Sequence, residues 1–256
     1  MTRDAELGEP VREEVPAGRA KPAADARKRS RRRADGDASR ARLLEAAGKL
    51  FANRGFAAAS TRALARAAKV NLSAIAYHFG DKEGLYREVL RRLIADSGPI
   101  MQPVVERLHA GVALAAGDRD ALAGIAAGFL RHLLGSVLSD ERMRWQMALM
   151  LREFHEPSAH FAMVLDERIH PLHDAVAELV GAATGRPANA AETRLLTASV
   201  IGQCMALGAA RTVVCARLGW DGYTPERVDF IIRTVTPAVL AMLGLPAVDE
   251  ARGTIS

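Results

Sequence analysis

Ser60 to Phe79 constrains this chain more than any other stretch, because it reads as two short helices meeting at a tight turn. Ser60 is a good N-cap, since its hydroxyl can accept from the free amides of a first helical turn. Ala63, Ala67 and Ala68 are small enough for close helix contact. Asn71 is placed to cap the next helix in the same way. In that second helix Ile75 and Phe79, four residues apart, make the core stripe, while Leu72, Ser73, Tyr77 and His78 lie largely off it. A short helix with an outward polar and aromatic face, joined by a few residues to a preceding helix, is the geometry of a helix-turn-helix.

The flanking segments extend the pattern from Ser39 to about Ser97. A first helix is expected from near Ser39, with Leu43, Ala47, Leu50 and Phe51 on one stripe and Gly55 as its left-handed end. After Phe79, Gly80 and Asp81 make a turn, Asp81 caps, and Lys82 opens a helix through Leu85, Val89, Leu90, Leu93 and Ile94. A lysine beside free helix amides is well placed to hold a phosphate.

Read together, Leu43-Leu-Glu-Ala-Ala, Leu50-Phe-Ala-Asn-Arg-Gly-Phe56, Ser60-Thr-Arg-Ala-Leu-Ala65 and Tyr77-His-Phe-Gly-Asp-Lys-Glu-Gly-Leu-Tyr86 resemble the DNA-binding domain of TetR/AcrR-type transcriptional regulators. Two positions depart from the family pattern: Ser73 stands where a glycine is common, and Ala76 where an aromatic is frequent, which leaves Tyr77 as the aromatic phosphate contact. The runs Asn71 to Gly80 and Leu151 to Ser158 are similar to the CecR-like subgroup. The resemblance implies DNA contacts from Thr61, Arg62, Asn71, Leu72, Ser73, Ala74, Tyr77, His78 and Lys82.

Charge is distributed in keeping with that reading. Residues 39–98 carry 11 Lys+Arg against 5 Asp+Glu, whereas residues 99–256 carry 14 against 17. A basic head on a mildly acidic body attracts phosphate without making the whole molecule adhesive. Residues 1–38 are rich in Pro, Gly, Ala and charge without hydrophobic periodicity, so disorder is expected there. Within them, Arg27 to Arg33 forms either a basic arm reaching the minor groove or a solvated tail.

Cys204 and Cys215, eleven apart, fall near one face of a single expected helix and read as buried thiols rather than a disulfide. No run of about 18 uninterrupted apolar residues and no N-terminal hydrophobic segment occurs. A cytoplasmic protein with no membrane partner is expected.

The body begins near Gly98-Pro99 and breaks at Gly117-Asp118, Ser139-Asp140, Glu156-Pro157, Gly185-Arg186-Pro187 and Asp221-Gly222, for about ten helices in all. Met143, Met147, Met150, Leu151 and Phe154 recur at helical spacing, as do Phe129 and Leu133, and Trp145 lies among them. Phe129, Leu133, Trp145, Met147, Met150 and Phe154 either line an adaptable apolar pocket or are ordinary core. His155, His160, His170 and His173 lie near Glu153 and Glu156, but Pro157 and Pro171 disturb their registers, and no metal site is expected. Phosphate-binding glycine loops, Gly-x-Ser-x-Gly and Cys-x-x-Cys are all missing, so neither cofactor nor catalytic set is expected.

Two long segments, about 190–218 and 225–243, carry apolar faces that include Val200, Cys204, Leu207, Val228, Ile232 and Val235. These faces pack either within the chain or, as in proteins resembling this one, in a four-helix dimer interface. The sequence reading is therefore all-α. It comprises a disordered extension over 1–38, a helix-turn-helix domain with its linking helix over 39–98, a helical ligand-binding and dimerisation domain over 99–245, and a flexible tail over 246–256. Function is expected to be that of a homodimeric regulator, a repressor binding a palindromic double-stranded operator and released by a small-molecule effector. A helical enzyme or ligand carrier whose basic N-terminal region serves another partner is the alternative.

Overall fold

The computed structural model describes residues 21–139 and 141–248, and every regular element among them is helical. In chain order they are α1 (Lys21–Ala58), α2 (Thr61–Ala68), α3 (Ser73–Phe79), α4 (Lys82–Ala115), α5 (Arg119–Ser139) and α6 (Glu141–His155). After a loop come α7 (Phe161–Val164), a π turn (Leu165–Ile169), α8 (His170–Thr184), α9 (Ala191–Ala209), α10 (Arg211–Leu218) and α11 (Pro225–Met242).

Two apolar cores organise them. In the head, Leu43, Ala47 and Phe51 of α1 meet Leu64 of α2, Ile75 and Phe79 of α3, and Leu85, Tyr86, Val89 and Leu90 of α4. In the body, α5 is the central helix: Leu122, Phe129, Leu130, Leu133, Leu134 and Leu138 are buried against α4, α8, α9 and α11. Length and hydropathy alone would let α5 cross a membrane, but half of that window is buried inside the body, as in a core helix.

Helix α4 belongs to both cores. The expected break at Gly98-Pro99 does not occur, and Pro99 and Pro103 sit inside one 34-residue helix. Leu90, Leu93, Ser97, Met101, Val104 and Leu108 are all buried and follow one another at three- and four-residue intervals, so a single continuous stripe packs on the head and then on the body. Burial of that stripe outweighs the lost backbone hydrogen bonds at the prolines.

The first helix also departs from expectation. It begins at Lys21, so the backbone of 21–38 is helical, and residues 1–20 lie outside the described residues. Alanine, arginine and lysine favour helix without any apolar stripe, which is why periodicity does not reveal this extension of α1. Gly55 interrupts α1 as expected, but as a kink with φ 77° and ψ 166° rather than a left-handed helix end, and the helix resumes to Ala58. Of the tail over 246–256, residues 249–256 lie outside the described residues.

Cys204 and Cys215 are both buried and free, but they occupy α9 and α10, which meet at 69°, rather than one helix. Burial pushes the Cys204 thiol up to about 12, so it stays protonated.

Candidate nucleic-acid interface

Local chemistry builds the two-helix unit as its residues require. Ser60 Oγ accepts from the Ala63 amide at 3.2 Å and opens α2. Asn71 Oδ1 accepts from the Ser73 amide at 3.2 Å, but α3 starts at Ser73, so the N-cap position falls on Leu72 and Asn71 does not cap α3 as expected. Asp81 Oδ1 accepts from the Gly84 amide at 2.7 Å and opens α4. Burial of Ile75 and Phe79 pins α3 to the head core and turns its opposite face outward.

That outward face carries most of the expected contact residues. Arg62, Asn71, Leu72, Ser73 and Tyr77 are exposed, and Thr61 and Ala74 are half-buried at its edge. Tyr77 is 84% exposed, an extreme for an aromatic side chain with a core available beneath it. An exposed phenol on a short, well-anchored helix can donate to a phosphate while its ring covers sugar or base edges.

His78 and Lys82 are differently employed than their sequence positions suggest. Ser39 Oγ donates to Gly36 O at 2.8 Å, which uses its single proton, so His78 Nε2 at 2.8 Å must be the donor to that oxygen. His78 thereby ties α3 to α1. Lys82 Nζ donates to Phe56 O at 3.0 Å and sits 4.2 Å from the Phe56 ring centroid, fastening the start of α4 to the end of α1. Two of its three ammonium protons remain for other acceptors. Arg40 completes the bracing: it pairs with Glu88 at 2.8 Å and covers Phe79 at 5.5 Å.

A polar clamp from α6 holds the head from behind, and sequence reasoning gave Arg152, Glu153 and Ser158 no part in holding it. Arg152 donates to Ala52 O at 2.7 Å and to Asn53 O at 3.1 Å, satisfying carbonyls near the break in α1. Beside it the Tyr86 hydroxyl donates to Glu153 in a short, buried hydrogen bond, and Ser158 Oγ donates to the other Glu153 oxygen at 2.9 Å. Burial and the neighbouring carboxylate raise the Tyr86 phenol far above its usual range. Trp145 fills the space above Gly48, where an added Cβ would lie only 2.6 Å from the ring. The signal was a glycine inside an amphipathic helix and an acid inside an apolar run.

The six expected pocket residues are not brought together. Phe129 and Leu133 are buried in the body core and Met147 packs against it, whereas Trp145 and Met150 pack against the head core. Phe154 is 46% exposed, edge-on to Phe161 at 6.4 Å. The side chain of Met143 lies outside the described residues. Helix α6 bridges the two cores, with Met147 packed on one and Trp145 and Met150 on the other.

The expected dimer residues are likewise committed within the chain. Val200, Cys204, Val228 and Ile232 are buried in the body core, and Leu207 and Val235 pack against it. Their partner is α5 and its neighbours. The solvent faces of α9, α10 and α11 present Leu195 (69% exposed), Val213 (62%) and Phe230 (51%) instead. Among the described residues no group of three or more His, Cys, Asp or Glu is placed to hold a metal.

Comparison with known proteins agrees with this geometry. The family model described as bacterial regulatory proteins, tetR family, matches residues 43–89, and that of the C-terminal domain of the HTH-type transcriptional dual regulator CecR matches residues 125–245. Together these matches support a TetR-family transcriptional regulator, and both models describe regulators rather than enzymes. Within that family it is CecR-like: it is 29% identical over 201 residues to the HTH-type transcriptional dual regulator CecR of Shigella flexneri, covering 78% of this chain and 89% of that protein. Two solved structures share the fold. A TetR-family regulatory protein from Rhodococcus RHA1 is 20% identical with a TM-score of 0.52, covering 82% of this chain and 98% of its own. The TetR-family regulator PfmR from Thermus thermophilus is 17% identical with a TM-score of 0.50, covering 82% and 96%.

Proposed function

We propose that the protein is a cytoplasmic, dimeric repressor that binds a palindromic operator through α3 of each subunit and is released by a small-molecule effector bound in the body. One observation carries the DNA reading: Tyr77, Ser73 and Arg62 stand exposed on a face whose opposite side is locked by Ile75 and Phe79. Thr61, Asn71, Leu72 and Ala74 border that face, and the two free Lys82 protons can reach a flanking phosphate. Helix α1 supports a further contact. Its far end meets the body through Arg152, and Gly36 and Ser39 lie beside His78, so the segment before Gly36 continues away from the body past α3. At about 1.5 Å per helical residue, the basic run Arg27 to Arg33 extends past α3 by the width of a groove. Of that run, the side chains of residues 27–29 and 32 lie outside the described residues, while Arg31 and Arg33 are exposed.

The second copy is expected on the solvent faces of α9, α10 and α11, where Leu195, Val213 and Phe230 leave apolar surface uncovered. A two-fold pair presents two copies of α3 to successive major grooves. The test is a gel shift with the DNA upstream of the protein's own gene, combined with sedimentation. A dimer that retards this DNA, and a Phe230→Glu variant that is monomeric, folded and weak on DNA, are the expected results; a monomeric parent, or a dimeric variant, contradicts the assembly.

A further inference from the structure

Between the π turn, α8 and α9 the body carries a cleft of about 500 Å³, within the size range of small-molecule sites. Leu165, Ile169 and Ala177 give it an apolar wall. Thr197 contributes a hydroxyl that is almost fully buried, at 1% exposure, and has no hydrogen-bond partner among the described residues. A buried hydroxyl left so is destabilising unless something else accepts or donates to it. Arg194, one turn earlier on α9, lines the same cleft and makes no ion pair among the described residues.

The wall itself is unusual. Leu165 and Ile169 bound a five-residue π turn, a backbone form found mostly where a function retains it. Arg168 in that turn is largely buried, its Nε lacks a partner, and burial alone lowers its pKa. Of the two, Arg194 lines the cleft, while Arg168 lies within the turn that forms its wall. On the acidic side, Asp166 lies 3.3 Å from His170. Asp174 is exposed beside His173, which burial keeps below the usual histidine range, so His173 is a neutral imidazole at neutral pH. Asp174 is the one carboxylate among the lining residues, and Asp166 stands outside the lining.

We infer that this cleft is the effector site and that it takes a small amphipathic monocarboxylate. The carboxylate pairs with Arg194 and accepts from the Thr197 hydroxyl, and the hydrocarbon part covers Leu165, Ile169 and Ala177. This rests on the reading of the protein as an effector-controlled regulator. Because the π turn and α8 pack on α4, the helix that enters the head, an occupant can bias the position of α3.

The test uses the full-length protein and a panel of butyrate, hexanoate, octanoate and benzoate, with hexanol and hexylamine as matched controls, read by calorimetry and thermal unfolding. The acids are expected to bind and raise Tm, and the alcohol and amine are not. Arg194→Gln is expected to weaken acid binding at least about tenfold, since it removes a charge-assisted pair. Thr197→Val is the more discriminating variant: it is expected to raise the Tm of the free protein while weakening acid binding, because it removes an unpartnered hydroxyl. No binding by any acid, equal binding of hexanol, preference for hexylamine, or undiminished acid binding in Arg194→Gln each overturns the assignment. So does a Thr197→Val protein that is less stable when free. A gel shift run without acid separates the two levels: failure of the parent to bind DNA overturns the regulator reading, while acid binding that leaves the DNA complex intact overturns only the coupling.

Discussion

Head and body solve the burial of polar groups in opposite ways. In the head, Ser39, Arg40, His78, Asp81, Lys82 and Tyr86 each have a specific partner, and among the described residues none of the buried side-chain polar atoms without one lies in α1 to α4. Past α4, Trp145 on the head core and His132, Arg168, Thr193, Thr197 and Thr236 in the body each bury an unpartnered polar atom among the described residues. A DNA-reading unit gains from a fixed geometry, and satisfied hydrogen bonds supply it. A domain whose occupancy must change keeps donors available and accepts the lower stability.

The contrast can be attacked in decreasing order of effect. Phe51 is fully buried and meets Tyr86 edge-on at 4.9 Å, so Phe51→Ala is expected to cost about 3–5 kcal/mol and abolish DNA binding. Urea unfolding followed by circular dichroism measures it, and a loss below about 1 kcal/mol would mean the head core is not packed as described.

Next is the clamp. Glu153→Leu strands the Tyr86 hydroxyl and is expected to cost about 1–3 kcal/mol in the same assay. The pH dependence follows from the raised phenol. Its folded pKa lies above the unfolded value of about 10, so stability is fully present below that pH and falls above it, by about 1.4 kcal/mol per pH unit for each such group. Tyr86→Phe removes that share of the alkaline slope; an unchanged slope would place the titration elsewhere.

A paired substitution sharpens the difference between the regions. Asp81→Ala removes a head cap and is expected to destabilise by about 0.5–2 kcal/mol. Thr193→Val removes a fully buried but unpartnered body hydroxyl and is expected to leave stability unchanged or higher. Comparable losses in both would erase the distinction. Smallest in stability is Tyr77→Ala, within about ±0.5 kcal/mol because the side chain is exposed, yet operator affinity is expected to fall about tenfold.

These expectations also show why the head was legible in the sequence and the body only partly so. Caps at Ser60 and Asp81, the break at Gly55 and the stripe of Ile75 and Phe79 are local, with each residue type stating its conformation. Apolar periodicity, by contrast, shows that a face is covered and not by what. Val200, Cys204, Val228 and Ile232 therefore read as a dimer face, and α5 makes them core. Trp145 and Met147, two residues apart on α6, serve different cores for the same reason. The bend between Ala209 and Arg211 has no proline, and Gly208 just before it does not read as a break, which puts Cys204 and Cys215 on one expected helix. His78 and Lys82 were found as important residues, but their partners Ser39 and Phe56 lie far enough away in sequence that only the folded head joins them.

The central claim, that α3 of each subunit in a two-fold dimer reads a DNA half-site, is tested most directly by selecting bound sequences from a random duplex pool with the parent protein and with Tyr77→Ala and Ser73→Ala. The account predicts an inverted repeat with half-sites about one helical turn apart or slightly more, a changed half-site preference for Ser73→Ala, and weaker but unaltered selection by Tyr77→Ala. Enrichment of an unrepeated sequence, or an identical consensus and affinity from all three proteins, would contradict it.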